Sequence, residues 1–348
     1  MHSMKALVLD TPGDEPSLTL RDVPVPAPGP HDVLVEVAAA GLCHHDVAVM
    51  QGLLRRGVEP GIVLGHEISG RVVDVGDSVS SVEVGDSVVS TLTTFCGECQ
   101  RCLHGMEYRC LQGQGVGHSI HGGFAQFVCL PESSVVPLPT TADLESASVY
   151  ACPMGVALRA LQDVAQVGPD NTVLVTGAGG GLGVHSMEIA AALGARVLAV
   201  TTSPAKAEKL EGMGRAEVIV HGDLDFSEIA LALTEDQGVD VVIDTVGSAL
   251  FQSSLKSVTQ FGMMVLLGEV AGGEARVNPA EIIFRDATIV GSSGADRRHI
   301  AAVAEMVGSG AIRPVVSQRF ALEDASEAYR LMRARTTFGR VVLVPPTV

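Results

Sequence analysis

The sequence predicts an α/β chain in two parts, a β-rich domain followed by a doubly wound parallel sheet. Two observations carry this. Up to about residue 150, apolar residues alternate with period two between closely spaced Gly and Pro turns. Beyond that point, strand-length apolar runs alternate with helix-length segments, and the first of these strands opens into a glycine loop. At 348 residues and 47% hydrophobic, the chain is long and apolar enough for two cores.

In the first part, the runs at 6–9, 32–37 and 70–75 read as strands, broken by turns at 27–30 and 76–78. In the second, Val-Leu-Val-Thr at 173–176 precedes the loop at 177–183, and a helix follows over 184–193. A strand over 196–200, a helix over 204–213 and strands over 217–220, 239–245, 263–267 and 288–290 continue the alternation. Amphipathic helices are expected from about residues 296 and 323, and a closing strand over 339–344.

Composition narrows the function classes. A net charge of −17 and a pI near 5.0 oppose binding to nucleic acid or anionic membranes. No apolar run reaches membrane-spanning length, and the N-terminus lacks the apolar stretch of a signal peptide. An odd count of seven cysteines argues against a disulfide framework. Thiolate ligands need a reducing compartment, so a cytoplasmic location is expected.

Six of those cysteines carry the chemistry. Cys96, Cys99, Cys102 and Cys110 have the spacing C-x2-C-x2-C-x7-C, enough to close a tetrahedral S4 shell. Zinc suits four thiolates, and an iron–sulfur cluster is the alternative cargo. Cys43 and Cys152 flank a Gly-His-Glu at 65–67, and a Cys/His/Cys set leaves one position open for water or substrate. These three ligands lie far apart, so spacing alone does not join them.

The glycine loop is Gly177-Ala178-Gly179-Gly180-Gly181-Leu182-Gly183. Between a buried strand and a helix it lets the backbone approach a pyrophosphate, which then sits on the helix N-terminus. The next strand ends in Thr201, Thr202 and Ser203 with Lys206 following, where an acidic residue would read the ribose of NAD. Hydroxyls and a lysine tolerate a 2′-phosphate, which tilts the expected cofactor towards NADP over NAD.

With these motifs on the page, the whole chain resembles the zinc-dependent alcohol dehydrogenases of the medium-chain dehydrogenase/reductase family. The Cys-x-x-Asp loop, the Gly-His-Glu, the four-cysteine lobe, Gly-Gly-Phe-Ala at 122–125, the glycine loop and the closing strand all carry the resemblance. It implies a GroES-like catalytic domain over 1–152 and 291–348, with a structural zinc lobe at about 95–111. A Rossmann nucleotide-binding domain would occupy 153–290. It implies two zincs per chain: a catalytic one on Cys43, His66 and Cys152, and a structural one on the lobe cysteines. Glu67 becomes a carboxylate able to approach the metal transiently, and Asp46 a partner that orients His66. Arg340 would reach the cofactor pyrophosphate, and the carboxamide would meet Gly268, Ser292 and Ser293. The short span between Cys110 and Gly122 resembles compact members that form homotetramers, with a homodimer as the alternative.

The activity expected first is hydride transfer between NAD(P)(H) and a small to medium apolar alcohol or ketone. One departure opens a second expectation. The family usually has Ser or Thr two residues after the first zinc cysteine and often His three further on; here these are His45 and Ala48. Either His45 is itself the proton carrier, or the enzyme reduces a C=C bond conjugated to a carbonyl. A catalytically silent binding protein is the third reading, opposed by the complete ligand set.

Overall fold

The computed structural model describes residues 3–54, 58, 60–222 and 225–347. It divides into two compact units. The first comprises Met1–Gly155, Gly294–Ser309 and Val316–Val348; the second comprises Val156–Ser293 and Gly310–Val315.

In the first unit β1 (Ser3–Thr11) pairs antiparallel with β2 (Ser17–Pro24) and with β4 (Ile62–Val63). The larger sheet is organised around β3 (Asp32–Gly41). One edge of β3 pairs with β5 (Glu67–Val75), and β6 (Ser87–Ser90) follows β5. On its other edge the start of β3 pairs with β7 (Phe127–Pro131), while β8 (Val135–Pro137) pairs with β6. Alternation decides which faces are buried. Val33, Val35 and Val37 of β3 enter the core with Leu7, Leu9, Ile68, Val72 and Phe124. Helix α1 (His44–Met50) leaves directly from the end of β3.

The second unit is a six-stranded parallel sheet. Its strands are β9 (Thr172–Val175), β10 (Arg196–Thr201), β11 (Glu217–Val220), β12 (Val239–Asp244), β13 (Val258–Leu266) and β14 (Thr288–Gly291). Their order is β11-β10-β9-β12-β13-β14, so the winding reverses between β9 and β12, where doubly wound sheets bind ligands. Both faces of such a sheet are covered, which is why β9 and β12 read as continuous apolar runs. Helix α2 (Gly181–Ala192) follows β9 and α3 (Pro204–Met213) follows β10.

The chain then returns to the first unit with helix α4 (Arg297–Gly308) and strands β15 (Val316–Ala321) and β16 (Arg340–Val344). Strand β16 pairs with the end of β3, which brings the last strand beside α1. The segment 310–315 belongs to the second unit. Short helices at Ser227–Leu233 and Phe251–Ser257 were not legible in the sequence, being too short to show a helical period.

Candidate functional site

The four lobe cysteines converge. Sγ–Sγ distances are 4.0 Å for Cys96–Cys102, 3.5 Å for Cys99–Cys102, 3.9 Å for Cys99–Cys110 and 3.5 Å for Cys110–Cys96. A tetrahedral zinc with bonds of ~2.3 Å would space its sulfurs by about 3.8 Å, so the cradle fits that ion. Backbone N–H groups are turned onto the sulfurs: Cys99 N–H donates to Cys96 Sγ at 3.3 Å, and Cys96 N–H to Cys110 Sγ at 3.4 Å. Such donors stabilise negative sulfur, and N–H groups of Leu111 and Cys102 hold the Cys99 thiol down at about 6. Burial pushes Cys102 up to about 12, and a bound cation would favour its thiolate.

The second cluster is assembled by the sheet. Register places Gly41, the last residue of β3, opposite Glu67, the first of β5. Cys43 therefore lies beside His66. A Cβ on Gly41 would collide with the Glu67 carboxylate, so glycine here makes the room that Glu67 occupies. Cys43 caps α1, and its N–H donates to Asp46 Oδ2 at 2.9 Å. Asp46 Oδ1 lies 3.0 Å from His66 Nδ1, which fixes the ring and leaves Nε2 as the ligand atom. Cys152 comes from a wide helical turn, Tyr150–Gly155, that contains Pro153. Ligand atoms of Cys43, His66, Glu67 and Cys152 all lie within 4.8 Å of one another.

Backbone packing behind His66 is unusually close. Gly65 has φ +93°, and a Cβ there would lie 2.6 Å from the Phe124 ring. Gly117 and Gly122 press on the same peptide, with added Cβ atoms 2.9 Å from Gly65 N and 2.6 Å from Leu64 O. Leu64, Gly65 and Phe124 are joined by backbone hydrogen bonds, Gly123 N–H to Gly65 O at 2.8 Å and Phe124 N–H to Leu64 O at 2.9 Å.

The electrostatics ask for a cation. Glu67, Cys43 and Cys152 act on one buried guanidinium, Arg340. The hydrogen bond from Cys152, with help from Arg340 and His66, holds the Cys43 thiol well below its usual range. The same bond, with burial, pushes Cys152 well above its own. A divalent ion bound there would allow both sulfurs to be thiolates. Burial alone would lower His66, but Asp46 holds it well above the ordinary histidine range. Burial raises Glu67 against the opposing pull of Arg340.

Arg340, expected at the pyrophosphate, donates from Nε to Glu67 Oε2 at 2.9 Å and from Nη2 to Glu67 Oε1. Its Nη2 is 3.7 Å from Cys152 Sγ. His45 Nδ1 is buried with no hydrogen-bond partner among the described residues. The ring stands edge-on to His66, centroids 4.9 Å apart, and 5.3 Å from the ring of His118. Burial, then the nearby His66, lowers the pKa of His45. The neighbour His118 was missed in the sequence, because nothing local links residue 118 to residue 45.

In the second unit, the loop after β9 leads into α2 with Gly180 as the capping residue and Gly181, Leu182 and Gly183 in the first turn. The aliphatic stem of Lys206 lies over Gly179, where a Cβ would come within 2.7 Å of it. Thr201 is buried and its hydroxyl accepts from Ser203 N–H at 3.2 Å; Ser203 caps α3 by accepting from Lys206 N–H at 3.4 Å. No carboxylate ends β10. Gly268 packs against Thr245, 2.6 Å from its carbonyl to an added Cβ. Ser292 Oγ accepts from Arg159 at 2.8 Å and the Ser293 carbonyl from the same nitrogen at 3.4 Å. This role of Arg159, 133 residues away, was not legible locally.

The family of alcohol dehydrogenase GroES-like domains matches residues 29–140, and that of zinc-binding dehydrogenases matches 181–309. The chain belongs to the zinc-dependent alcohol dehydrogenases of the medium-chain dehydrogenase/reductase family. It is an oxidoreductase of that family with GroES-like and Rossmann domains. An acryloyl-coenzyme A reductase of Metallosphaera sedula is 35% identical over 98% of this chain and 99% of that protein. The crystal structure of an NAD-dependent alcohol dehydrogenase is 34% identical, with TM-score 0.93 over 98% of this chain and 99% of the other. A thermostable alcohol dehydrogenase from Pyrobaculum aerophilum, solved with cobalt and zinc bound, is 27% identical with TM-score 0.89, over 99% and 100%. No helix among the described residues is long and apolar enough to cross a membrane.

Proposed function

We propose that this oxidoreductase reduces a C=C bond conjugated to a carbonyl, with a short 2-enoyl thioester as substrate class. Position 45 carries the reading. Oxidising an alcohol requires a route that takes its proton away, and the family supplies one through a hydroxyl and a histidine. Here the inner station is a half-buried imidazole whose Nδ1 has no hydrogen-bond partner among the described residues, and the outer one is Ala48. Conjugate reduction adds hydride at the β-carbon and a proton from water at the α-carbon, so no hydroxyl proton has to leave at the oxygen. The acryloyl-coenzyme A reductase relative supports this order of preference. It reverses the order expected first from the sequence.

Zinc held by Cys43, His66 and Cys152 would polarise the carbonyl oxygen, and a bound nicotinamide would supply the hydride. The chain's own residues do the positioning. Asp46 orients His66, and Arg340 pairs with Glu67. The four lobe cysteines would hold the second zinc. Gly177, Gly179, Gly180, Gly181, Leu182 and Gly183 would take the pyrophosphate at the start of α2. Thr201, Thr202, Ser203 and Lys206 favour NADP(H) over NAD(H), and Gly268, Ser292 and Ser293 would face the carboxamide. A homotetramer in a reducing, cytoplasmic setting completes the reading.

The alternative, alcohol or ketone turnover with His45 as proton carrier, is favoured by the complete ligand set and by the alcohol dehydrogenase neighbour. A panel of 2-enoyl thioesters, enones, ketones and secondary alcohols with NADPH and NADH, followed at 340 nm, decides between them. Turnover of enoyl substrates at least ~10-fold above ketones is expected. Rapid alcohol oxidation with inert enoyl substrates would overturn the proposal.

A further inference from the structure

We propose that Tyr108 and Asp296 are positioning residues that connect the four-cysteine lobe to Cys152, so that the two metal sites hold their ions cooperatively. The inference rests on reading both cysteine clusters as metal sites. Tyr108 sits in the short turn Glu107–Arg109, two residues before Cys110, and Cys110 N–H donates to the Glu107 carbonyl at 2.9 Å. The backbone N–H of Tyr108 donates to Asp296 Oδ1 at 3.0 Å. Asp296 is buried, and its Oδ2 has no hydrogen-bond partner among the described residues. The carboxylate that caps α4 therefore also holds the lobe backbone. The Tyr108 ring lies on Gly294, which has φ +75° and where a Cβ would come 2.8 Å from the ring.

From Asp296 the path continues inside the same unit. Asp296 caps α4, and its N–H donates to His299 Nδ1 at 3.1 Å. Helix α4 packs on the Tyr150–Gly155 turn. A Cβ on Gly155 would lie 3.1 Å from the Ala295 side chain and 3.7 Å from Ile300. Ala295 and Ile300 are both buried, so the contact is tight on each side. That turn carries Cys152. It is the one ligand of the His66 site that no sheet register fixes, since Cys43 and His66 are set by β3 and β5. An ordered lobe therefore holds α4, and α4 holds the turn that presents Cys152. Coupling of this kind is reciprocal.

The test reads metal release rather than turnover. The full chain is loaded with cobalt(II), whose absorption distinguishes a four-thiolate shell from one with two thiolates and an imidazole. The loss of each signal to excess EDTA is then timed. Gly294→Ala and Asp296→Ala should speed loss from the Cys43–His66–Cys152 site by about 10-fold, within the usual range of coupling between sites. Asp296→Asn, which keeps an acceptor oxygen, should stay near the parent. Asp22→Ala, on the exposed strand β2 where Asp22 pairs with Lys5 away from this path, should leave the rate unchanged. Cys152→Ser should in turn speed loss from the lobe. If Gly294→Ala and Asp296→Ala fold poorly, Cys99→Ser gives the same reading, because an ion-free lobe should loosen the distant site. Parental release rates in these variants, or equal acceleration in Asp22→Ala, would overturn the proposal. Failure of either cobalt signal to form in the parent would instead refute the metal reading beneath it.

Discussion

The lobe and the His66 site use the same kind of ligand in opposite ways. The lobe collects four sulfurs between residues 96 and 110 in a part-exposed loop, and its sulfurs are steadied by local backbone N–H groups. The His66 site collects ligands from residues 43, 66 and 152 in a buried setting, and its charges are balanced by Arg340 from the last strand. A site of the first kind can be emptied with the core intact. A site of the second kind exists only once the β3–β5 register, the Tyr150–Gly155 turn and β16 are in place. Saturating four sulfurs leaves no open position for substrate, whereas three ligands leave one.

Substitutions that separate the two sites should show this. Cys43→Ala should lower turnover by more than ~10²-fold, with metal content falling by one and the lobe ion kept; full activity would remove the ion from the reaction. Cys99→Ser should lose the lobe ion and lower the melting midpoint by roughly 5 °C, as for a loss of about 2 kcal/mol in a chain of this size. A larger fall in turnover than in stability would then point back to coupling between the sites. Asp46→Asn should weaken the ion at His66 by ~10- to 100-fold, the scale for losing a partner of a metal-bound imidazole. Equilibrium dialysis against zinc checks this.

Acid should act on both sites in one direction. Protons compete with the ion for sulfur, so falling pH favours release. In the lobe, Cys99 resists protonation until about pH 6, below which its retention should drop. Loss beginning two pH units higher would show that the backbone donors do not hold that sulfur. The smallest expected change is Thr201→Asp, which should move cofactor preference towards NADH by about tenfold in kcat/KM ratio, about 1.4 kcal/mol.

The same contrast explains what could be read from the sequence. The C-x2-C-x2-C-x7-C run is a local statement, so the lobe is legible without a fold. The Rossmann alternation is likewise local: a strand expected at 173–176 is found at Thr172–Val175, and the helix expected at 204–213 is Pro204–Met213. Helix α2 begins at Gly181, earlier than expected at 184, because the glycine loop itself supplies the first turn. Cys43, His66 and Cys152 are different. Only the strand register places two of them together, and resemblance to a known family was the sole signal for the third. The pairing of Arg340 with Glu67 and the meeting of His45 with His118 depend on contacts between distant elements, which no periodicity encodes.

The glycines packed behind His66 set a boundary for anyone who would redesign this enzyme. Gly65, Gly117 and Gly122 press peptide against peptide, and a single methyl at any of them would push the His66 backbone or Phe124 out of place. A mutant library aimed at new substrates should leave these three codons unvaried and spend its diversity at positions such as His45. There a change of side chain alters the chemistry on offer without moving the frame that holds the ligand.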